Sequence, residues 1–178
     1  MPDTIQSTNY SCGAGALRAV LAYYGKDVSE EELMDRLDTD PQHGTPPEAL
    51  VRVAREFGLK AELKQNMQVA DLERAMDQKT PVIVDAQAWR EGDELNLPWS
   101  QVWESGHYMV AVGVDGKNLY VEDPSLEWSR GVIPLKEFEE RWHDYELAPN
   151  GSRLEYHRAG IVFSGLPPSP PAELAPVA

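Results

Sequence analysis

A single cysteine lies in a sequence context that favours nucleophilic chemistry. Cys12 follows Ser11, a frequent first residue of helices, and apolar residues recur at helical spacing from Ala16 to Tyr24, just before Gly25. A cysteine in the first turn of a helix is stabilised as a thiolate, and its pKa falls from about 8.5 to roughly 3.5–7.5. A lone cysteine is more often a small buried hydrophobe, so its neighbours decide between the two interpretations.

These neighbours favour the nucleophile. Gly13 and Gly15 predict room for a peptide backbone beside the sulfur, and Gln6 offers a side-chain amide to an oxyanion. A cysteine nucleophile also needs a base, and His107 opens a strand-like apolar run while Asp123 closes the next one. The chain order Gln, Cys, His, Asp therefore predicts a Cys-His-Asp triad with an oxyanion donor.

The two runs that carry His107 and Asp123 form a predicted β-hairpin, which tests the triad. A three-residue loop, Val114 to Gly116, pairs Gly113 with Lys117 and places His107 opposite Asp123. A two-residue Asp-Gly turn places them on opposite faces of the sheet instead. The triad hypothesis therefore requires the longer loop or an odd-residue bulge.

Elements that position these residues can also be predicted from the sequence. The periodicity predicts helices first and, after Thr80, mostly strands. This order predicts an α+β protein with an N-terminal helical lobe and a C-terminal antiparallel β-sheet lobe. The predicted helices are 12–24, 29–37 (with a Ser29/Glu32 capping box), 46–58, 69–78 and 135–143, and the predicted strands are 59–63, 81–86, 107–114, 117–123, 131–134 and 159–163.

The segment between the strand at 81–86 and His107 is long and polar, and it contains Trp89, Trp99 and Trp103. Loops of this length are often functional. Three tryptophans can cover a cleft and hold an extended peptide, or they can simply pack the loop onto the body. The sequence leaves both interpretations open.

Four other residues have chemically active side chains but simpler interpretations. Asp85, near the end of a buried strand, is an alternative to Asp123, although aspartates at strand ends mostly form turns. His43 is interpreted as a solvated loop residue, and His143 and His157 as structural residues. The histidines show no paired metal spacing and the chain has no Gly-rich phosphate loop, so we predict no cofactor.

Taken together, several motifs resemble those of the papain-like bacteriocin-processing peptidases, also called double-glycine peptidases, which remove leader peptides after a Gly-Gly pair. The resemblance covers about residues 5 to 145. It implies a papain-like fold, with Cys12 as nucleophile, His107 as base, Asp123 as its orienting acid and Gln6 in the oxyanion hole. The motifs are Gln6, Cys12-Gly13, Gly44-Thr-Pro-Pro, Gly58-Leu59, Pro81-Val-Ile-Val, His107-Tyr and Asp123-Pro124.

The chain departs from that family at two positions beside the cysteine. Ser11 stands where the family usually has Asp, and Gly15 where it usually has Ala. These departures concern substrate detail more than the chemistry. The membrane and ATPase domains of the transporter-fused members have no counterpart in this sequence.

Three functions follow from this pattern. The first is a cysteine peptidase that cleaves a peptide or small-protein substrate, and the resemblance implies cleavage after Gly-Gly. The second is an acyl or peptide transferase with the same thioester chemistry, because papain-like folds include such enzymes. The third is a non-catalytic module that binds peptides for another protein. Degenerate relatives of that third kind typically lose the cysteine, so the presence of Cys12 argues against this third function.

The composition narrows the choice of partners. The formal net charge of −14 disfavours nucleic acids and anionic membrane surfaces. An acidic surface favours a basic peptide, or it simply keeps the protein dispersed. No window approaches the ~18 apolar residues of a membrane span, and no signal sequence is visible. With one cysteine, the sequence predicts a cytoplasmic protein, although a chain whose signal peptide had been removed would look the same.

Length and tail composition predict the domain organisation. A chain of 178 residues can bury one core, which predicts a papain-like peptidase domain at 1–165. Residues 166–178 are rich in Pro and Ala with almost no charge, so a disordered tail is predicted. The alternative role of this segment is that of a proline-rich ligand for a partner protein.

Overall fold

The computed structural model describes residues 1–128, 130–148 and 150–170. Helices dominate its first part and antiparallel strands its second. The helices are α1 (Cys12–Tyr23), α2 (Glu30–Leu37), α3 (Pro47–Glu56), α4 (Val69–Asp77) and α5 (Leu135–Arg141). The strands are β1 (Lys60–Lys64), β2 (Val82–Gln87), β3 (Gly106–Val114), β4 (Asn118–Glu122), β5 (Arg130–Pro134), β6 (His143–Leu147), β7 (Arg153–His157) and β8 (Gly160–Ser164).

Six strands form one antiparallel sheet in the order β1-β8-β2-β3-β4-β5. Strands β6 and β7 form a separate two-stranded hairpin. The last strand in the described residues, β8, pairs with both β1 and β2 and so joins the helical first part to the sheet. Strand β3, which carries His107, lies between β2 and β4.

Both faces of the large sheet are covered, which explains why every residue of β2 is buried. Ile83 of β2 packs with the helices α1, α2 and α3, whereas its neighbours Val82 and Val84 pack with α4 and α5. Successive side chains of a strand point to opposite faces, so the two cores lie on opposite sides of the sheet. The predicted α+β class, with helices first and an antiparallel sheet after them, is confirmed.

The predicted helices and strands agree with the observed ones to within a few residues at either end, but one pair of strands was missed. Strands β6 and β7 have the sequences HDYEL and RLEYH, in which polar residues are frequent and β-branched residues are absent. Strand propensity is therefore weak in both, and tertiary contacts determine the structure. Tyr156 of β7, which is 2% exposed, donates a hydrogen bond to Glu48 at the start of α3.

The hairpin between β3 and β4 differs from the preferred prediction. Gly113 pairs with Tyr120 rather than Lys117, and Val112 is an extra residue in β3. The bulge moves the register by one residue, so that Val110 pairs with Glu122. The predicted three-residue loop is wrong, and the predicted alternative, an odd-residue bulge, is what the structure contains.

The beginning of the predicted disordered tail contacts the body of the protein. Leu166 packs against the core of helices α1 to α3, and the Ser169 N–H donates to the carbonyl of Tyr23 at 2.8 Å. The rest of the predicted tail, residues 171–178, lies outside the described residues. Of the helices in the described part of the chain, none is long and apolar enough to cross a membrane.

Candidate active site

Cys12 is the first residue of α1, as the sequence predicts. Ser11 is the N-cap residue, but its hydroxyl makes no capping bond to the helix. The Ser11 Oγ instead accepts a hydrogen bond from the Thr8 N–H at 3.1 Å and so holds the segment before the helix. The Gly13 N–H, at the free end of the helix, lowers the pKa of the Cys12 thiol. The helix end therefore acts directly on the thiol.

The two glycines of α1 allow close packing within the protein rather than the predicted approach of a substrate. A Cβ atom at Gly13 would lie 2.9 Å from Cβ of Thr45, and one at Gly15 would lie 2.7 Å from Cβ of Pro124. Both glycines are buried, so the space beside them is filled by the protein itself rather than left for a substrate. Gly15, the departure from Ala, lets α1 approach the residue that follows Asp123.

His107 lies between Cys12 and Asp123. Its Nε2 is 2.7 Å from Oδ1 of Asp123, and its interaction with the Cys12 thiol shifts the pKa of both groups. Since Nε2 is bonded to the acid, Nδ1 is the nitrogen left for the sulfur. His107 is 1% exposed and Asp123 is 8% exposed, so water is largely excluded from this bond.

The β3 bulge explains how these two side chains meet. Asp123 directly follows β4, and the register Val110–Glu122 continues to place Asp123 opposite Met109. His107 is two residues from Met109 on the same strand, so it lies diagonally across from Asp123 on the same face. Without the extra residue Val112, the two side chains would lie on opposite faces.

A hydroxyl that the sequence analysis missed also holds Asp123. The Ser125 N–H and Oγ–H both donate to Oδ1 of Asp123, at 2.9 and 2.7 Å. An aspartate that accepts from the backbone two residues later is a common turn in Asp-Pro-Ser sequences. That local signal would have identified Ser125.

These contacts lower the pKa of Cys12 and raise the pKa of His107. Burial raises the pKa of the Cys12 thiol, but the hydrogen bond and charge of His107, with the Tyr108 and Gly13 N–H groups, lower it overall. Burial lowers the pKa of His107, but its bonds to Asp123 and Cys12 raise it to about 9. Burial likewise raises the pKa of Asp123, and His107 outweighs this and lowers it. At neutral pH these directions favour a thiolate beside an imidazolium.

Gln6 is close to this cluster, but its contacts are with the backbone. Its main-chain N–H donates to the Pro124 carbonyl at 2.8 Å, and its side-chain Nε2 donates to the Thr8 carbonyl at 2.7 Å. Its Oε1 is buried and has no hydrogen-bond partner in the described part of the chain. The structure therefore places Gln6 beside the residue after Asp123, where its amide bonds the backbone of Thr8 rather than Cys12.

The three tryptophans of the long loop divide between the two predicted roles. Trp89 packs against the His107 ring at an interplanar angle of 54°, with centroids 4.8 Å apart, and remains 43% exposed. Trp103 packs against His143, with centroids 4.2 Å apart, and lines a cleft at Cys12. Trp99 is buried between Arg90 and Arg141 and holds the loop to the body.

The cleft at Cys12 has a volume of about 450 Å³, which is the size of a ligand site. One side is formed by the loop of residues 41–44, including His43, which the sequence analysis interpreted as a solvated loop residue. His43 is exposed and bonded to Asp40 at 2.8 Å. The other side includes strand β6, with Asp144 and Glu146. The prediction missed these acids because it missed the strand.

Asp85 is not the acid that contacts His107. It is a buried residue of β2 that hydrogen-bonds Asp144, and burial followed by the Asp144 charge raises its pKa well above the usual range. In the part of the chain that the structure describes, no group of three or more His, Cys, Asp or Glu residues is arranged to hold a metal ion.

A family model described as the Peptidase_C39-like family matches residues 2–147. The chain belongs to the Peptidase_C39-like family. The match spans α1 to β6 and so includes Gln6, Cys12, His107 and Asp123.

Solved structures show the same C39 papain-like fold. The peptidase domain of Streptococcus ComA, a bi-functional ABC transporter involved in quorum sensing, is 20% identical, with a TM-score of 0.65 over 90% of this chain and 96% of that domain. A double-glycine motif protease from an AMS/PCAT transporter, in complex with a leader peptide, is 23% identical, with a TM-score of 0.61 over 91% and 89%. An uncharacterised protein of Methanothermobacter marburgensis is 29% identical over 68% of this chain and 70% of its own length.

Proposed function

We propose that this protein is a cysteine peptidase in which Cys12 attacks a peptide carbonyl and His107, oriented by Asp123, transfers the proton. The observation that carries the proposal is the buried His107–Asp123 pair, with 2.7 Å between Nε2 and Oδ1, whose imidazole lowers the pKa of the Cys12 thiol by hydrogen bonding and charge. Membership of the Peptidase_C39-like family supports the same chemistry.

The charges of these groups fit the first step of such a reaction. A thiolate is the nucleophilic form of cysteine, and a protonated His107 can then give its proton to the leaving amine. Asp123 fixes the ring orientation and stabilises the imidazolium. Water subsequently hydrolyses the acyl-enzyme, with His107 taking a proton from it, which regenerates Cys12.

The oxyanion of the tetrahedral intermediate needs hydrogen-bond donors. The Cys12 backbone N–H lies at the first helical position, where α1 offers it no acceptor. The Gln6 amide has two N–H groups, and Thr8 accepts a bond from Nε2. We assign the remaining N–H of Gln6 and the N–H of Cys12 to the oxyanion, in agreement with the family resemblance.

The proposed cleavage point is after a Gly-Gly pair in a leader or precursor peptide. The support is the fold shared with a double-glycine motif protease that was solved with its leader peptide. The purified protein should be incubated with synthetic peptides that contain an internal Gly-Gly, and the products identified by mass spectrometry. Cleavage after the second glycine is expected, and its replacement by bulky residues should prevent cleavage.

Two variants test the residue roles. Cys12→Ala should abolish cleavage and labelling by a thiol-directed active-site probe. His107→Ala should lower the cleavage rate by about 10²–10⁴, the usual contribution of a general acid and base. His157→Ala, which changes an exposed histidine of β7, is the matched control and should behave as wild type. Equal labelling of His107→Ala and wild type would contradict the activation of Cys12 by His107.

The same products distinguish hydrolysis from transfer. An acyl-enzyme can pass its acyl group to an added amine instead of water, and fold does not separate the two outcomes. The reaction should therefore be repeated with an added amine. The peptidase proposal predicts the free carboxylic acid as the main product, and an amide as the main product would identify a transferase.

A further inference from the structure

The cleft at Cys12 has one wall that is rich in carboxylates. Glu104, Asp144 and Glu146 line it, together with the aromatic rings of Trp103 and Tyr145. No described lysine or arginine lines the same cleft.

The nearest cationic groups are engaged elsewhere. His43 faces the cleft and is bonded to Asp40 at 2.8 Å. Arg153 stacks over the Tyr145 ring, 3.9 Å from its centroid, and its Nε lies 3.3 Å from Glu155. Arg153 contributes to the field at Asp144 without forming an ion pair with it. The acidic wall therefore lacks a direct cationic partner in the described part of the chain.

A second carboxyl group lies behind this wall. Asp85, which is 5% exposed, hydrogen-bonds Asp144, and its own Oδ1 is buried with no hydrogen-bond partner in the described residues. Asp144 is also held by the Gln87 amide, with Nε2 3.0 Å from Oδ1. Asp144 is thus held in a fixed position in the wall, and the oxygen without a hydrogen-bond partner in the described residues lies behind it, on Asp85.

Such an arrangement is costly unless a positive charge enters the cleft. Burying a carboxylate without a cation destabilises its ionised form, and neighbouring carboxylates add to the effect. Burial and the nearby Glu48 and Asp144 raise the pKa of Glu146 to about 7, and burial raises the pKa of Asp144. A ligand cation would lower the pKa values of both acids and so favour their ionised forms.

We propose that the wall formed by Asp144 and Glu146 binds a positively charged group of the substrate, an ammonium or a guanidinium, close to the bond that Cys12 attacks. The inference rests on the proposed peptidase function, because it names a feature of that substrate. Cys12 and both acids line the same cleft of about 450 Å³, which has room for a basic side chain. The substrate therefore carries a basic residue or a free amino terminus near the cleavage point.

Charged thiol reagents test the wall without requiring any peptide cleavage. Cys12 is the single cysteine of the chain, so every modification reports on this cleft. The rate constants for a cationic trimethylammonium-ethyl and an anionic sulfonato-ethyl methanethiosulfonate should be compared, each relative to free cysteine. The wild type should favour the cationic reagent by about tenfold, as expected for a local electrostatic field.

Matched variants separate the wall from the net charge of the protein. Glu146→Gln, and Asp144→Asn combined with it, should lower the cationic preference by at least about threefold. Glu62→Gln removes the same charge from an exposed residue of β1 and should leave the preference unchanged. An equal loss in all variants, or none in Glu146→Gln, would overturn the proposal. If the double variant does not fold, the result for the single variant Glu146→Gln is sufficient to decide the test.

Peptides then identify the source of the cation. Gly-Gly peptides should be compared in which a lysine near the cleavage point is replaced by norleucine, and in which the amino terminus is free or acetylated. In the wild type, removing one of these charges should lower kcat/KM by about tenfold or more. In Glu146→Gln, the same change of substrate should cause a smaller loss. Cleavage that is indifferent to every charge would overturn the proposal. If no peptide is cleaved while the reagent preference holds, the peptidase function fails and the cation site stands.

Discussion

Asp123 and Asp144 are two aspartates near the same cysteine, and their pKa values move in opposite directions. Burial raises the pKa of both. His107 outweighs burial at Asp123 and lowers its pKa, whereas at Asp144 burial outweighs the hydrogen bonds that lower the pKa, so it stays raised. The difference teaches that a cationic partner decides the charge of a buried acid near Cys12. Asp123 has such a partner in His107, whereas Asp144 has another acid, Asp85, as its neighbour.

Two groups of residues beside Cys12, which we call the two walls, are therefore built differently, and of the first group Cys12 itself lines the cleft. In the wall of Cys12, His107 and Asp123, each charged group has a partner of opposite charge, which favours a fixed ion pair. In the wall of Asp144 and Glu146, acids neighbour acids, which leaves the wall ready for a cation from outside. The first wall fits a role in chemistry and the second a role in recognition, and the predictions below test this division.

Gly106 joins the two walls, and its substitution should have the largest effect. A Cβ atom there would coincide with the Asp144 carboxylate, so Gly106→Ala must displace the Asp144 side chain from its bonds to Gln87 and Asp85, or move β6 or the start of β3. We expect a loss of about 1–3 kcal/mol in the free energy of unfolding, as for other overpacked sites, together with reduced activity. Denaturant unfolding and peptide cleavage measure the two effects.

Two further variants check that the cause is the Asp144 contact. Gly106→Ala combined with Asp144→Ala removes the obstructing carboxylate and should recover much of the lost stability. Gly113→Ala, in the same strand, places its Cβ 3.4 Å from Tyr120 and should cost much less. If Asp144→Ala gives no recovery, the two walls are not coupled at this point.

Trp89 and Trp103 come from one loop and contact different walls, so their variants should have different kinetic effects. Trp89 covers the His107 ring and does not line the cleft, so Trp89→Ala should lower kcat by about tenfold with little change in KM. Trp103 lines the cleft and packs on β6, so Trp103→Ala should mainly raise KM. Steady-state cleavage of a Gly-Gly peptide measures both. Identical effects of the two variants on kcat and KM would remove the division between the walls.

Glu146→Gln should have the smallest effect, visible as a change of stability with pH. An unfolded glutamate has a pKa of about 4.3, whereas burial raises that of Glu146 to about 7. Glu146 therefore stays protonated to a higher pH in the folded protein than in the unfolded chain. The stability contributed by this residue is lost as the pH rises between these two values. Glu146→Gln should gain about 2–4 °C in Tm relative to wild type between pH 4 and pH 8. Glu62→Gln serves as the exposed control, and a parallel pH dependence of all three proteins would refute the assignment.

The sequence predicts the first wall well because its signals are local. A cysteine at a helix start, a histidine at the beginning of an apolar strand and an aspartate at the end of the next strand are each visible within a few residues. The register between His107 and Asp123 was predictable only as alternatives, because a bulge at Val112 depends on the whole sheet. Gly13 and Gly15 were assigned to the substrate, whereas long-range packing on Thr45 and Pro124 requires them.

The second wall could not be predicted from the sequence because it depends on contacts far apart in the chain. Strand β6 has little strand propensity, and its acids reach the cleft through the pairing with β7 and the contact of Asp144 with Asp85. The sequence predicts Asp85 only as an alternative to Asp123. Its contact with another acid, rather than with His107, is visible only in three dimensions.

The ionisation of Cys12 tests the account most directly, because it depends on the ion pair and on nothing about the substrate. The rate of alkylation by iodoacetamide should be measured against pH in the wild type, in His107→Ala and in the control His157→Ala. The account predicts a midpoint below about 8.5 in the wild type and the control, and a higher midpoint in His107→Ala. A wild-type midpoint at or above about 8.5 that His107→Ala leaves unchanged would contradict it.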